Sequence, residues 1–364
     1  MKKTILSIAL ISLILTPAIT FAQSTIFNYP HLYRGMRSLG MGGAYTAVGG
    51  DAEAVFYNPA TLNNMGFQLD LINPLVEVDE NAMDLYEDIT DALDLDTDTE
   101  RTDAFLDIAR ENAGDPLHLR AALFPSVAVK NFAIGFLGQG TFDGRIHNQS
   151  SRIVEVQGGY EYGPVAGFSV PLPFTGLQLG VSGKHITRTF VVEEFSVNEL
   201  AAEDFDIADY ETTNSDYSFD AGLLYELPFL PGVKPKVGIS VLDITDLDFE
   251  EGGKLPQRIN VGASITAKVP IFTEVIVAAD YEDITKEFEQ DDSTWKRVHL
   301  GAEAGLLNRH LLIRAGINQG YPTYGAELDI WALRLGYVFY SEEMGAHAGQ
   351  DKDDRHLVQV TLGW

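Results

Sequence analysis

The sequence predicts an all-β fold: a transmembrane antiparallel β-barrel of about 14 strands with an N-terminal hatch plugging its lumen. Apolar and polar residues alternate with a period of two through most of the chain, which indicates strands with one apolar and one polar face. Short and long connections alternate between these strands. A glycine-rich apolar segment precedes the first of them.

The start of the chain has the features of a secretory signal peptide. Two lysines follow Met1, and residues 5–19 are apolar. Thr20 and Ala22 are the small residues at the two positions before the cleavage site that a signal peptidase reads. We expect residues 1–22 to be removed and Gln23 to begin the mature protein. No later stretch approaches the apolar length that a membrane helix needs, so an exported chain that spans a membrane is expected to do so as a barrel.

Composition and motifs argue against several classes of function. The chain has 25 Lys and Arg against 53 Asp and Glu, a net charge of −28, so nucleic acid is not expected as a partner. It has no cysteine, which removes a lipoprotein anchor, disulfides and thiol catalysis. No serine elbow, phosphate loop or histidine pair at zinc-ligand spacing appears. We therefore expect no enzyme activity, no cofactor and no metal site.

The alternation is clear around residue 260. Ile259, Val261 and Ile265 take one face of a strand, and Arg258 and Asn260 take the other. A soluble sandwich would bury such apolar faces against each other. A membrane barrel turns them to lipid and keeps the polar faces in its lumen.

The connections favour the barrel over the sandwich. Strands are predicted near residues 66–78, 117–130, 131–142, 152–170, 176–196, 215–228, 234–248, 257–268, 274–285, 294–305, 310–318, 322–329, 331–340 and 355–364. Tight turns alternate with longer, mostly acidic connections, which places the long ones at one end. Single-chain outer-membrane barrels sort their connections in this way and have even strand numbers. Residues 66–364 are therefore predicted to form the barrel.

The longest connection, residues 79–116, is acidic and is expected to be extracellular and partly helical. Tyr86, Ile89 and Leu93 recur at helical spacing, and Phe105 and Ile108 do so further on. We expect two short amphipathic helices over the mouth of the barrel.

The segment 37–62 has neither strand alternation nor a charged face. Asp51 is placed to cap a short helix, Pro59 prevents that helix from continuing, and Asn58 is expected to cap its end. Three glycines permit close backbone approach: Gly40, Gly42 and Gly43. A compact apolar piece ahead of a run of strands is expected to pack inside them.

Three features of this segment occur together: Gly40-Met41-Gly42-Gly43-Ala44, the acidic Asp51 before a short helix, and Asn58-Pro59-Ala60. This set resembles the hatch of the FadL type of outer-membrane hydrophobic-compound transporter, and equally that of the related PorV-like outer-membrane proteins. The resemblance implies a hatch over residues 23–65 and a location in the outer membrane of a diderm bacterium.

The same resemblance leaves two functions open. One is transport of hydrophobic molecules such as long-chain fatty acids through a hatch-gated barrel. The other is a PorV-like scaffold or shuttle for protein secretion. The hatch motif does not separate them, and the long acidic loop 79–116 departs from the transporter pattern.

A hydrophobic ligand is expected to lie between the hatch and the barrel wall. Val55, Phe56 and Leu62 would line an apolar pocket, and Arg314 and Arg334 would hold a carboxylate headgroup. The alternative is that lumen arginines pair with lumen acids. The residues concerned are Arg258, Arg297, Arg314 and Arg334 with Asp220, Glu226 and Glu303.

The chain ends in an amphipathic strand whose last residue is Trp364. This end resembles the signal that barrel-assembly machinery recognises, so that machinery is an expected partner. Outer-membrane lipid and a hydrophobic small molecule are the other expected partners.

Overall fold

The computed structural model describes residues 31–80, 82–147, 153–173, 176–196, 199, 206–228, 232–288 and 293–364. The predicted signal peptide and the first residues of the predicted hatch, 23–30, lie outside this part of the chain. No helix within it is long and apolar enough to cross a membrane.

Fourteen antiparallel strands form a closed barrel, as predicted. Each pairs with its neighbours in the sequence, and β14 pairs with β1 to close the ring. The strands are β1 (Gln68–Ile72 and Leu75–Asp79), β2 (Pro116–Leu123 and Ser126–Val129), β3 (Phe132–Ile146), β4 (Ile153–Pro171), β5 (Leu177–Ser196), β6 (Thr212–Glu226), β7 (Val233–Leu242), β8 (Arg258–Val269), β9 (Phe272–Tyr281), β10 (Val298–Leu306), β11 (Leu311–Asn318), β12 (Tyr321–Ile330), β13 (Leu333–Glu343) and β14 (Lys352–Gly363). A small ribbon pairs Leu247–Asp248 with Lys254–Leu255.

The alternation along β8 is confirmed. Arg258, Asn260 and Ser264 are buried toward the lumen, while Val261 and Ile265 face outward. Because a closed barrel has no unpaired edge strand, the outward apolar faces can meet lipid without exposing a sheet edge.

Two neighbouring strands are each broken at a proline, where the sequence predicts unbroken strands. β1 is interrupted at Asn73-Pro74 and β2 at Phe124-Pro125. Proline lacks the N–H that a ladder bond needs. The Asn73 side chain bridges the gap: its Nδ2 donates to Phe124 O at 3.0 Å, and Phe124 N donates to its Oδ1 at 2.7 Å.

The predicted sorting of connections holds with one exception. β11 and β12 are joined at the long-loop end by Gln319-Gly320 alone, with φ angles of 53° and 93°. Positive φ at both central residues is typical of the tightest hairpin turns. The C-terminus lies at the short-turn end, where Trp364 N donates to Leu69 O at 2.8 Å.

β7 ends at Leu242, earlier than the predicted strand 234–248. Asp243 and Asp246 have φ angles of 54° and 57°, which turns the chain out of the sheet. The turn places the buried Asp243 carboxylate 2.7 Å from Lys184 Nζ. The strand therefore ends where Asp243 turns inward to this ion pair.

The long first loop holds two helices, as predicted: α2 (Ala82–Leu93) and α3 (Asp98–Glu111). Thr97 caps α3, since its Oγ1 accepts from Glu100 N at 3.2 Å. Both helices line a cavity with outward-facing residues of β2, β3 and β4, so they lie against the outer wall and not over the mouth. Tyr86, assigned to the apolar face, is 64% exposed, and Leu85 is buried instead.

Residues 31–65, here called the N-terminal segment, pack inside the barrel. They form α1 (Met36–Gly40) and two 3₁₀ helices, Ala52–Phe56 and Pro59–Asn64. Met41, Tyr45 and Leu62 are fully buried among lumen-facing residues. Further 3₁₀ turns lie in the connections at Ile207–Tyr210, Glu250–Gly252, Thr294–Arg297 and Leu307–Arg309.

Candidate functional site

The glycine turn of the N-terminal segment lies directly on the barrel wall. Gly42 has φ +64°, and a Cβ there would stand 2.6 Å from the backbone of Ile317. The wall has its own glycines at this point, Gly301 and Gly316, which face each other across β10 and β11. A Cβ on Gly316 would lie 2.5 Å from Gly42 N. Backbone therefore packs on backbone, which explains the glycines on both sides.

A wall carboxylate fixes the backbone next to this turn. Asp280 on β9 accepts from Tyr45 N at 2.7 Å and from Thr46 N at 2.6 Å. Hydrogen bonds to an ionised acceptor are shorter and stronger than neutral ones. Asp280 therefore ties the N-terminal segment to one position on the wall.

Asp51 and Asn58 do not have the capping roles predicted for them. Asp51 precedes the 3₁₀ helix Ala52–Phe56, but its side chain makes no capping hydrogen bond and accepts instead from Arg37 and from the Tyr45 hydroxyl. Asn58 caps the following 3₁₀ helix and not the preceding one, because Pro59 opens that second helix. Proline at a first helical position loses no hydrogen bond that the helix would use.

Asn58 also joins the segment to the wall. Its Oδ1 accepts from Ala60 N at 3.1 Å, and its Nδ2 donates to Thr46 O at 2.8 Å and to Leu223 O of β6 at 3.3 Å. The side chain is fully buried. Gly222 leaves room for it, since a Cβ at that position would collide with Oδ1.

Arg314, a predicted headgroup partner, lies in a buried ion cluster. Its Nε donates to Glu303 at 2.7 Å and its Nη2 to Glu327 at 2.8 Å. Arg37 of the N-terminal segment donates to both oxygens of the same Glu303, each at 2.8 Å. Glu303 therefore accepts from Arg314 of the wall and from Arg37 of the N-terminal segment, and so anchors the segment to the wall.

Arg334, the other predicted headgroup partner, pairs with Asp70 of β1. It lines a polar cavity of about 180 Å³ at the short-turn end, together with Glu53 of the N-terminal segment. Glu53 Oε1 accepts from the Tyr33 hydroxyl at 3.0 Å, while its Oε2 is buried without a hydrogen-bond partner. Burial raises the pKa of the Glu53 carboxyl to about 8.

The long-loop half of the lumen is polar and internally paired. Glu77 accepts from Arg120 Nε at 3.0 Å and from the Tyr340 hydroxyl at 2.5 Å. Arg34 donates to Glu342 at 2.8 Å. These groups adjoin a cavity of about 310 Å³, whose wall is mixed: charged side chains share it with Tyr160, Phe190, Leu255 and Phe288.

Val55, Phe56 and Leu62, the predicted apolar lining, are buried where the N-terminal segment meets the wall. The Phe56 ring packs against Tyr33 and Phe124, with 4.9 Å between ring centroids in each case. Phe124 stands at the break in β2. This aromatic cluster is an apolar area of the lumen beside the two broken strands.

A separate apolar cavity of about 260 Å³ lies between the loop helices and the outer wall. Ile89 and Phe105 contribute from the helices, and Leu117 and Phe142 from β2 and β3. Arg145 is a cation at its edge: its Nη2 donates to Asp351 at 2.6 Å, and its Nε is buried without a hydrogen-bond partner.

Sequence reasoning missed both Arg145 and the wall glycines. Arg145 lies on the polar face of its strand, as arginines of other strands do, so its position alone did not single it out. Its contact with the apolar cavity depends on how α2 and α3 pack against the outer wall. The glycines at lumen positions carried a usable signal, because glycine weakens a strand interior and often marks a bulge, a tight bend or the close approach of another backbone. Those that contact the N-terminal segment include Gly180, Gly222, Gly238, Gly301 and Gly316.

Comparison with solved structures shows the fold. The crystal structure of a Pseudomonas aeruginosa FadL homologue superposes with a TM-score of 0.51 at 10% identity, covering 93% of this chain and 99% of that one. The crystal structure of the Pseudomonas putida toluene transporter TodX superposes with a TM-score of 0.49 at 12% identity, covering 93% of this chain and 99% of that one. The Ralstonia pickettii toluene transporter TbuX superposes with a TM-score of 0.44 at 12% identity, covering 91% of this chain and 97% of that one.

No protein-family profile and no curated protein matches this sequence. The similarity to the FadL homologue is therefore a similarity of structure. At 10% sequence identity it establishes the fold alone. The predicted resemblance to FadL-type barrels is confirmed at that level.

Proposed function

We propose that this chain, which has the fold of FadL-type barrels, transports hydrophobic small molecules across the outer membrane of a diderm bacterium. The closed barrel with outward apolar faces suits a bilayer, and strands that end at Trp364 suit recognition by barrel-assembly machinery. The N-terminal segment acts as the hatch, because it packs inside the barrel and is tied to the wall on several sides.

The observation that carries this proposal is the apolar cavity between the loop helices and the outer wall. Most of its lining is aliphatic or aromatic, and its polar lining residues are Asn112, Asp115 and Arg145. The cavity in the long-loop half of the lumen has many more charged residues in its lining. A mostly apolar cavity with a few placed polar groups is the usual form of a small-molecule site. We assign it the capture of the ligand from outside.

Arg145 gives this cavity a preference for an acid. Its unpartnered Nε donor suits a carboxylate oxygen, so the ligand class is a hydrophobic molecule with a carboxylate end, such as a long-chain fatty acid. Burying ten methylenes at about 0.8 kcal/mol each would yield about 8 kcal/mol before entropic costs. Since a net binding free energy of about 8.2 kcal/mol corresponds to about 1 μM, micromolar affinity is the upper bound that this burial sets, and the entropic costs of binding weaken it.

Release inward requires the hatch to move. The aromatic cluster of Tyr33, Phe56 and Phe124 offers an apolar surface on the lumen side of the two broken strands. A ligand that reaches it can pass only when the N-terminal segment shifts, since Phe56 fills the space against the wall. The predicted site at Val55, Phe56, Leu62, Arg314 and Arg334 is then a second station on the route.

Equilibrium binding of a fluorescent long-chain fatty acid to the detergent-purified protein tests the capture site. Ile89→Asn places an amide in the cavity and is expected to weaken binding about tenfold or more, because the amide must be desolvated without a partner. Tyr86→Asn, on the exposed side of the same helix, is the matched control and should leave binding unchanged.

The headgroup assignment is tested with arginine variants. Arg145→Gln should weaken binding of the acid but not of the corresponding alcohol, whereas Arg110→Gln, an exposed arginine on α3, should change neither. Arg314→Ala and Arg334→Ala measure the second station. Absence of saturable binding to the intact protein would reject the transporter and favour the secretion scaffold, for which the acidic helices would be the docking surface.

A further inference from the structure

Three metal-ligating side chains meet at the long-loop rim of the barrel, on neighbouring strands. His147 directly follows β3, Glu155 lies on β4 and Glu194 on β5. His147 Nε2 is 3.4 Å from Glu155 Oε2 and 4.0 Å from Glu194 Oε1, and the three donor atoms all lie within 4.8 Å of one another. Residues 155 and 194 are directly paired in the sheet, so the backbone fixes the two carboxylates side by side.

The burial of these groups is unusual for a surface ion pair. The Glu155 side chain is only 4% exposed, and the His147 Nε2 atom is shielded from solvent without making a hydrogen bond. A shielded imidazole nitrogen without a hydrogen bond costs free energy unless something binds it. A bound cation would give that nitrogen a partner and neutralise the charge of the buried carboxylate.

The spacing fits a tetrahedral ion. Ligands about 2.1 Å from a tetrahedral centre stand roughly 3.4 Å apart, which is the His147–Glu155 separation. The Glu194 carboxylate would have to move toward the other two donor atoms by about 1 Å. Its side chain is 40% exposed, so it has room for this movement. The backbone of His147 is already fixed, since its N–H donates to Ile153 O at 2.9 Å.

We propose that His147, Glu155 and Glu194 bind a divalent transition-metal ion, with Zn²⁺ the best match. One imidazole and two carboxylates suit a borderline ion better than Mg²⁺ or Ca²⁺, which prefer oxygen ligands alone. Water completes the coordination. The ion clamps the outer ends of β3, β4 and β5, a role that does not depend on what the barrel transports.

Sequence patterns do not reveal this site, because its ligands come from three strands and share no short motif. The prediction of no metal site rested on short sequence patterns, such as the spacing of histidines and the lack of cysteine. Register pairing of strands brings the ligands together instead.

Zn²⁺ titration of the full mature barrel by calorimetry tests the site, with a purification tag that contains no histidine. We expect one equivalent to bind, and roughly tenfold or greater weakening in His147→Gln, Glu155→Gln and Glu194→Gln. The matched controls are His185→Gln and Glu193→Gln, which replace the same residue types on the outward face of β5 and should bind Zn²⁺ as the intact protein does.

Cu²⁺ electron paramagnetic resonance adds a direct readout of the ligands. The spectrum of the intact protein should show hyperfine coupling to one imidazole nitrogen, and this coupling should vanish in His147→Gln. Heat-dependent gel mobility verifies that each variant forms a barrel, and the exposed Glu194 keeps the test usable if a buried substitution prevents folding. No saturable Zn²⁺ binding, or equal affinity in site and control variants, would overturn the proposal.

Discussion

Asn58→Ala tests most sharply how the N-terminal segment is held. The substitution removes the cap of the 3₁₀ helix Pro59–Asn64, and such caps are worth about 0.5–2 kcal/mol. It also leaves Thr46 O without its 2.8 Å donor and Leu223 O without its 3.3 Å donor in a fully buried site. Each buried group left unsatisfied costs about 1–3 kcal/mol.

The lost cap and the unsatisfied Thr46 O together predict that local opening of the N-terminal segment becomes easier by about 1.5–5 kcal/mol. Leu223 O adds little, because it belongs to a strand that is paired on both sides. At 1.4 kcal/mol per factor of ten, hydrogen-exchange protection should fall between roughly tenfold and several thousandfold.

Hydrogen exchange with peptide-level mass spectrometry, on the barrel in detergent, measures this quantity directly. Peptides from residues 36–65 should lose protection, while peptides from β10 to β13 should keep theirs. Asn64→Ala is the matched control, because Asn64 belongs to the same helix but is exposed. Equal protection in Asn58→Ala and Asn64→Ala would refute the reasoning.

Two further perturbations act on the same segment. Gly316→Ala puts a Cβ 2.5 Å from Gly42 N and should destabilise the docked segment by about 1–3 kcal/mol. The measurement is single-channel conductance, which should rise. Gly138→Ala is the control and should leave the conductance unchanged, because the nearest atom to its Cβ is 3.8 Å away. The pKa of Glu53, raised by burial from 4.5 to about 8, means that docking weakens as pH rises through that interval. Hydrogen exchange of residues 36–65, corrected for intrinsic rates, should therefore increase from pH 5 to pH 8 in the intact protein. It should not increase in Glu53→Gln. Equal pH dependence in the two proteins would contradict this prediction.

The barrel was predictable because its signal repeats. Alternation such as that of Ile259 to Ile265 recurs in many strands, so single errors did not change the strand number or the closure. Two local features were missed, because each involves a residue distant in the sequence. At the early end of β7, Asp243 pairs with Lys184. At the tight turn Gln319-Gly320, the Gln319 side chain donates to Glu342.

The candidate site was less predictable, for a physical reason. Strand parity correctly placed Arg314 and Arg334 in the lumen, but parity cannot say which acid each one meets. The roles of Asp51 and Asn58 were misassigned because short 3₁₀ helices have weak periodicity and their caps are chosen by contacts with the wall. The apolar cavity arises only when α2 and α3 fold back onto the outer wall.

Uptake through a barrel with a locked hatch tests the central claim most directly. A Cβ on Gly167 would lie 2.9 Å from Val55 Cγ1, a separation compatible with a disulfide in Val55→Cys/Gly167→Cys, and the chain has no other cysteine to interfere. The assay is uptake of a radiolabelled long-chain fatty acid by cells of a diderm bacterium that lacks its own transporter. The account predicts saturable uptake with the intact protein and with Val55→Cys alone, loss of uptake in the oxidised double variant, and recovery on reduction. Equal uptake by the oxidised and reduced double variant, or no uptake by the intact protein, would contradict it.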